Sequence, residues 1–458
     1  MTAPADTGVF ARPYVISWNL TYRCNLRCEH CYLDAGAKKE WKVNSPAFAD
    51  RGELSTQKCL EVFDEIALFA PEALVILTGG EPLLRPDILD LIARGSERKL
   101  WTVAGTNGVL ITASLARLLK EKGLRGLALS LDALDPATHD RFRRVEGAWN
   151  NTVEGARILN GEGLPFIVQT TVGRHNHRDI ARIAEFACKS MEARVFNLYF
   201  LVPSGRGQYV TDLEPAEYEV VLAELMEIQK RYEGRMVVNA KCAPHFSRYL
   251  FEREPASKFL KSFRGGAGGC PAGTQYLGIR PNGDVTPCPY LPLFGGNLQS
   301  AGLKDIWEGS DLFRRIRARN ELGGRCGNCE FSGRCGGCRA RAYSALGDVM
   351  AEDPLCHYEP GQHARADIEA RFAENYGFAA AAVASHGNGA PPAPEADLAW
   401  DSNAEERLLR IPAFVRGYVR KRVEEHCRRN AIPRVTEQVM AEIRARLPAS
   451  GIFTRKPG

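Results

Sequence analysis

The chain is predicted to be an α/β protein: a partial (βα)6 barrel, then a Cys-rich auxiliary-cluster domain, then a small helical C-terminal domain. Three observations predict this. Over the first 200 residues, short apolar runs alternate with amphipathic stretches of helical period. From residue 265, glycine and cysteine dominate and periodicity fades. Residues 398–458 are basic and helical in pattern, and follow a low-complexity stretch at 379–394 (AAAAVASHGNGAPPAP).

The elements follow in order. Strands are expected at 13–20, 73–78, 101–105, 124–130, 165–171 and 194–202, each an apolar or β-branched run. Helical patterns occupy 56–69, 87–99, 113–121 and 178–190. Six βα units place chemistry at the C-terminal ends of the strands. The expected divisions are a core barrel over 1–210, a helical bridge over 211–264, the Cys-rich domain over 265–360, a helix and linker over 361–397, and the basic unit over 398–458. In that last unit, Pro412 and Pro433 each sit where a helix can begin.

Composition narrows the function classes. The chain has 458 residues, 45% hydrophobic and 25% charged, which supports a large core and excludes general disorder. The net charge of +5 is too mild over this length for a nucleic-acid surface. No run of about 18 apolar residues is present to span a membrane. No secretion signal is visible, so the cytoplasm is the expected compartment. There are 14 cysteines, and ten fall in tight spacings, which reads as metal or cluster ligation before disulfides. Cys59, Cys188 and Cys427 lie within helical patterns and are expected to pack in cores.

Cys24, Cys28 and Cys31 form C-x3-C-x2-C directly after the first strand. Three thiolates from one loop hold three irons of a [4Fe–4S] cluster and leave the fourth open, and an open metal position is where chemistry occurs. The next strand ends at Gly79-Gly80-Glu81-Pro82, the following one at Thr106-Asn107-Gly108, and the next at Ser130-Leu131-Asp132. In this order the motifs resemble the core of radical S-adenosylmethionine (SAM) enzymes. The resemblance implies that Cys24, Cys28 and Cys31 ligate the catalytic cluster and that SAM chelates its open iron. It further implies that Gly79, Gly80 and Glu81 receive the SAM amino group and that Pro82 fixes their turn. Ser130 and Asp132 would lie near the ribose, with Asn107 on the same rim. His30 occupies the place of an aromatic ring near adenine.

Downstream, Cys270 and Cys288 enclose 17 residues, Cys326, Cys329, Cys335 and Cys338 form C-x2-C-x5-C-x2-C, and Cys356 follows alone. This resembles the SPASM extension, although its last short gap usually holds three residues. The resemblance implies two auxiliary [4Fe–4S] clusters: one on Cys326, Cys329, Cys335 and Cys356, the other on Cys270, Cys288 and Cys338 with an open or non-cysteine fourth ligand. The division of cysteines between them stays open, as does a role for Cys242, which is either a missing ligand, a substrate-side group or packed. A zinc ribbon on the two C-x2-C pairs leaves three cysteines unexplained.

Two further likenesses bear on substrate. Segments 287–292 and 336–343 resemble radical SAM enzymes of alternative haem and haem d1 synthesis, most closely the 12,18-didecarboxysiroheme deacetylase group. The tail at 400–447 resembles the small C-terminal domain of protochlorophyllide reductase subunits. Together they imply deacetylation or decarboxylation of an iron tetrapyrrole, with an electron donor such as ferredoxin or flavodoxin. Arg206, Arg280, Arg339 and Arg341 are candidates for its carboxylates, and His175, His177 and His245 for its iron or for acid–base work. The competing readings are a SPASM maturase acting on a ribosomal peptide and a non-catalytic electron carrier.

Overall fold

Apolar residues at every second position give strands β1 (Val15–Asn19), β2 (Leu74–Thr78), β3 (Trp101–Thr106), β4 (Leu127–Ser130), β5 (Phe166–Val172) and β6 (Val195–Phe200), which lie side by side in sequence order, all parallel. Helices return the chain between them: α1 (Thr56–Phe69), α2 (Ile88–Glu97), α3 (Ala113–Glu121), α4 (Pro136–Arg143), α5 (Ala148–Gly161) and α6 (Ile180–Lys189). Three of these start on side-chain caps, with Ser55, Thr112 and Asp135 accepting from Lys58, Leu115 and Thr138. This is a computed structural model, and it describes residues 12–36, 52–210, 213–255, 257, 260, 269–376, 398–409, 420, 423–424 and 426–446.

The sheet continues beyond six strands. The bridge expected to be helical over 211–264 is broken between α7 (Pro215–Arg231) and α8 (His245–Arg253) by β7 (Val237–Lys241), which pairs parallel to β6. Five residues are too few to show a period of their own; the open edge of β6 recruits them. On the other side, β8 (Tyr276–Ile279) pairs parallel to β1, with Val15 opposite Tyr276. β9 (Asp284–Thr286) and β10 (Gly296–Asn297) add antiparallel strands, so β7 and β10 are the two edges of an open ten-stranded sheet.

The two faces of this sheet differ. Ile16, Trp18, Leu77, Leu129, Val168, Phe196 and Leu198 are fully buried under the helices. Each such side chain contributes roughly 1.5–3 kcal/mol on burial. Alternate residues on the opposite face, among them Ile76, Thr78, Val103, Ser130, Gln169, Thr171 and Tyr199, are only half-buried. The concave side is therefore an accessible lumen rather than a packed core.

The Cys-rich region carries short helices, including α9 (Leu303–Gly309), α10 (Asp311–Arg317), α11 (Gly324–Asn328), α12 (Arg339–Leu346) and α13 (Arg365–Tyr376). The C-terminal unit has its own core of Ala404, Leu408, Val423, Cys427, Val435 and Met440. It is not purely helical: Ala399–Trp400 and Arg434–Val435 form a parallel bridge. Pro433 thus precedes a strand, and the helix starts later, at Glu437. Pro412 and the linker at 379–394 lie outside the described residues. Among the described residues no helix is long and apolar enough to cross a membrane.

Candidate active site

The loop that leaves β1 brings Cys24, Cys28 and Cys31 into one apolar pocket with Leu26, Val109, Val145 and Ala148. All three are free thiols. Each sulfur accepts a hydrogen bond: Leu26 N donates to Cys24 Sγ at 3.4 Å, Ala35 N to Cys31 Sγ at 3.4 Å, and Arg143 Nη1 to Cys28 Sγ at 3.5 Å. Burial pushes the Cys24 thiol up to about 12, with repulsion from Cys28 and Cys31 adding to the effect. Thiolates gathered here need a cationic partner, and donors already aimed at the sulfurs suit iron–sulfur ligation.

Two turns clasp the loop. Gly80 N donates to Thr21 O at 2.7 Å and Glu81 N to Arg23 O at 2.8 Å. A Cβ on Gly80 would lie 2.1 Å from Arg23 O, and Gly79 has φ +132°, so neither position tolerates a side chain. From the far side, Arg206 N donates to Cys31 O at 2.9 Å, and its guanidinium bonds Cys28 O at 3.0 Å and Asp34 at 2.7 Å. Arg206 therefore holds the cysteine loop instead of facing a substrate carboxylate.

The rim residues occupy strand ends as expected, but their side chains face inward. Glu81 is fully buried, and its carboxylate accepts from Leu83 N at 3.2 Å, Thr106 Oγ1 at 2.8 Å and Asn107 N at 2.9 Å. Burial outweighs these donors and raises it to about 7. The carboxylate braces the turn from behind, which leaves the backbone carbonyls as the rim's acceptors. Pro82 begins the short helical turn Pro82–Leu84. Asn107 ties the end of β3 to the cysteine loop through Asn25, at 2.8 Å. Asp132 is also fully buried; it pairs with Arg143 (Nε at 2.8 Å) and accepts from Thr171 N at 2.8 Å. The carboxylate expected at the ribose instead anchors the arginine that touches Cys28. Ser130 stands half-buried at the end of β4. The His30 ring stacks on Phe142 at 4.6 Å, and Phe142 on His175 at 4.0 Å. Burial holds His30 neutral, its pKa lowered to about 3.

Between this loop and the second cysteine region, four half-buried tyrosines line the lumen: Tyr32, Tyr199, Tyr276 and Tyr290. The rings of Tyr32 and Tyr290 are 4.8 Å apart, and Tyr32 Oη donates to Asn19 at 2.6 Å. Lys241 sits opposite Tyr199 in the sheet, on the lumen face, and makes no ion pair among the described residues. Burial lowers its pKa, so an anion placed there would be strongly favoured. Arg280 is buried facing Tyr22, Tyr32 and Asp284.

The later cysteines form two sets. Cys326, Cys329, Cys335 and Cys356 line one cavity, together with His245 and Asp353. Cys270, Cys288 and Cys338 pack together elsewhere, in contact with Cys242. Arg339 and Arg341 are fully buried between these sets. Arg339 bonds Val349 O and Ala351 O at 2.8 and 2.7 Å. Arg341 pairs with Asp353 at 2.9 Å. Both are scaffold, not substrate ligands. His245 is enclosed between Tyr218 and Asp353, and His177 bonds Arg174 O in the β5–α6 loop. Arg143, Lys241 and the tyrosines are the site residues that sequence reasoning did not single out; the arginines in the last turn of α4, after Ser130-Leu131-Asp132, are the one local signal.

Comparison with known proteins agrees with this geometry. Residues 18–187 match the radical SAM superfamily, 270–330 the SPASM iron–sulfur cluster-binding domain, and 400–444 the proto-chlorophyllide reductase 57 kD subunit. An AdoMet-dependent heme synthase of Methanosarcina barkeri is 37% identical over 357 residues, covering 76% of this chain and 98% of that protein. A pre-heme d1 synthase of Dinoroseobacter shibae is 31% identical, covering 78% and 89%. In fold, SuiB of Streptococcus suis, solved with its precursor peptide SuiA, matches with a TM-score of 0.60 at 19% identity over 76% of each chain.

Proposed function

The chain belongs to the radical SAM superfamily and carries its SPASM iron–sulfur domain, and on that premise we propose that it cleaves SAM reductively to modify side chains of an iron tetrapyrrole haem precursor. Cys24, Cys28 and Cys31 would hold the catalytic [4Fe–4S] cluster, and the two downstream sets the auxiliary clusters. When bound, the catalytic cluster supplies the electron that breaks the sulfonium C–S bond of SAM. Gly79 and Gly80 offer backbone carbonyls to the SAM amino group, while Glu81 and Asn107 fix the rim that carries them. Ser130 would offer its hydroxyl to the ribose, and His30, stacked on Phe142, would offer an uncharged ring to the adenine.

The observation that carries the substrate reading is the lumen between the two cysteine regions. It joins four tyrosines to Lys241, which makes no ion pair among the described residues, and a tetrapyrrole with peripheral carboxylates needs aromatic faces against its plane and a cation at its edge. The relative named a heme synthase, at 37% identity, supports the same class, a haem precursor whose side chains are modified by deacetylation or decarboxylation. A small one-electron donor such as ferredoxin or flavodoxin would serve it, in the cytoplasm. The test is anoxic reconstitution, reduction and addition of SAM with candidate substrates. Formation of 5′-deoxyadenosine together with an altered iron tetrapyrrole is the expected result. Turnover of a peptide instead, or no SAM cleavage under any condition, would overturn it.

A further inference from the structure

Cys242 stands with Cys270, Cys288 and Cys338 in a single group of four thiols, and we propose that it is the fourth protein ligand of the auxiliary cluster beside the lumen. This rests on the iron–sulfur reading above and goes beyond it, since the sequence pattern leaves that cluster with three cysteines. The four residues come from the turn after β7, the segment before β8, the segment after β9 and the start of α12, yet all four fall in one packed cluster, which also reaches Cys326. Cys270 and Cys338 are within hydrogen-bonding reach of each other, and Cys242 faces Cys270, Cys288 and Cys338.

The backbone around Cys242 is held by the same buried groups. Cys242 adopts φ +56°, a left-handed conformation uncommon for a non-glycine residue. Arg341 holds it there, donating from Nη2 to Cys242 O at 2.9 Å. Asp353, the partner of Arg341, also accepts from Cys338 N at 2.7 Å. One buried ion pair therefore orients two cysteines of the same set. Cys59 and Cys427, which do pack in apolar cores, have no positive φ. Four cysteines close the cluster to exogenous ligands. Substrate then meets the wall of this site, not its iron, and the cluster's role is to pass electrons or to hold the fold.

The test uses the full chain with Cys24, Cys28 and Cys31 replaced by alanine, so that only auxiliary clusters report. In that background Cys242→Ala is expected to lose up to about four irons per chain, or to give the signal of a three-iron cluster. Cys242→Ser, which keeps an oxygen ligand and the size of the side chain, is expected to retain iron and to shift the midpoint potential of one cluster. If Cys242→Ala fails to fold, the serine variant decides. Parental iron content, electron paramagnetic resonance spectra and potentials in the variants would overturn the proposal alone. Zinc, or no iron, in the parent would overturn the cluster reading and the proposal with it.

Discussion

The thiols of Cys24, Cys28 and Cys31 leave one eight-residue loop, while those of Cys242, Cys270, Cys288 and Cys338 arrive from four separate places in the chain. The loop is held from outside by glycine turns and by Arg206, and it supplies three thiols. The distant set is held from beneath, by Arg341 and Asp353, and numbers four. A loop can offer an incomplete set of ligands because its geometry is fixed by backbone clasps that do not depend on metal. A set assembled from distant elements rests on buried contacts that join several parts of the chain, so the loss of one ligand there is expected to disturb cluster and fold together.

The sharpest way to break this comparison is Cys24→Ala. It is expected to abolish 5′-deoxyadenosine formation, a fall of more than about 1,000-fold, and to remove about four irons per chain. Thermal stability should stay near that of the parent, because the loop's clasps remain. A large fall in melting temperature would show that the loop also depends on its metal.

Next is the arginine behind the loop. Arg143→Met leaves the Asp132 carboxylate buried without its cation. Loss of one partner of such a pair costs about 3–5 kcal/mol. Chemical denaturation of the anoxic enzyme should register it. Asp132 and Cys28 are both neighbours of Arg143, so the spectrum of the catalytic cluster should shift while those of the auxiliary clusters do not.

How much of this was legible in the sequence follows the same division. The three-cysteine loop and the strand ends at Gly79-Gly80, Asn107 and Ser130 could be read from local spacing, whereas grouping Cys356 with Cys326, Cys329 and Cys335 came only from the likeness to the SPASM extension. β7 was read as helix, and β8 was not seen to return to β1, because neither strand is long enough to carry a period and each is selected by an edge formed elsewhere. The inward turn of Glu81 and Asp132 was equally hidden. A carboxylate at a strand end looks the same in sequence whether it faces ligand or scaffold, and only Thr106, Thr171 and Arg143 decide it.

Lys241 separates binding from radical generation. Lys241→Met removes a cation of the lumen that has no ion-pair partner among the described residues, and leaves both cysteine regions in place. A charged hydrogen bond is worth about 1.5–3 kcal/mol, so the substrate KM should rise roughly 10- to 100-fold. SAM cleavage without substrate should be unchanged. An unaltered KM would move the carboxylate contact elsewhere, to the face of Arg280.

The smallest expected effect is one in which the two regions behave alike. Each is backed by a buried neutral histidine: His139, whose Nδ1 accepts from Asp132 N at 3.2 Å, and His245, bonded to Tyr218. Burial lowers both to about 4. The unfolded chain protonates these rings near pH 6.5, so it binds more protons than the native state between about pH 4 and 6.5. Each histidine's contribution is therefore complete above about pH 6.5 and is lost as pH falls toward 4. From pH 7 to 5 that loss is about 2 kcal/mol per ring. His139→Gln and His245→Gln should each flatten the acid limb of the stability profile by that amount, and the two effects should add, since the histidines share no partner. Flattening by only one of them would mean that the regions differ in their support as well as in their ligands.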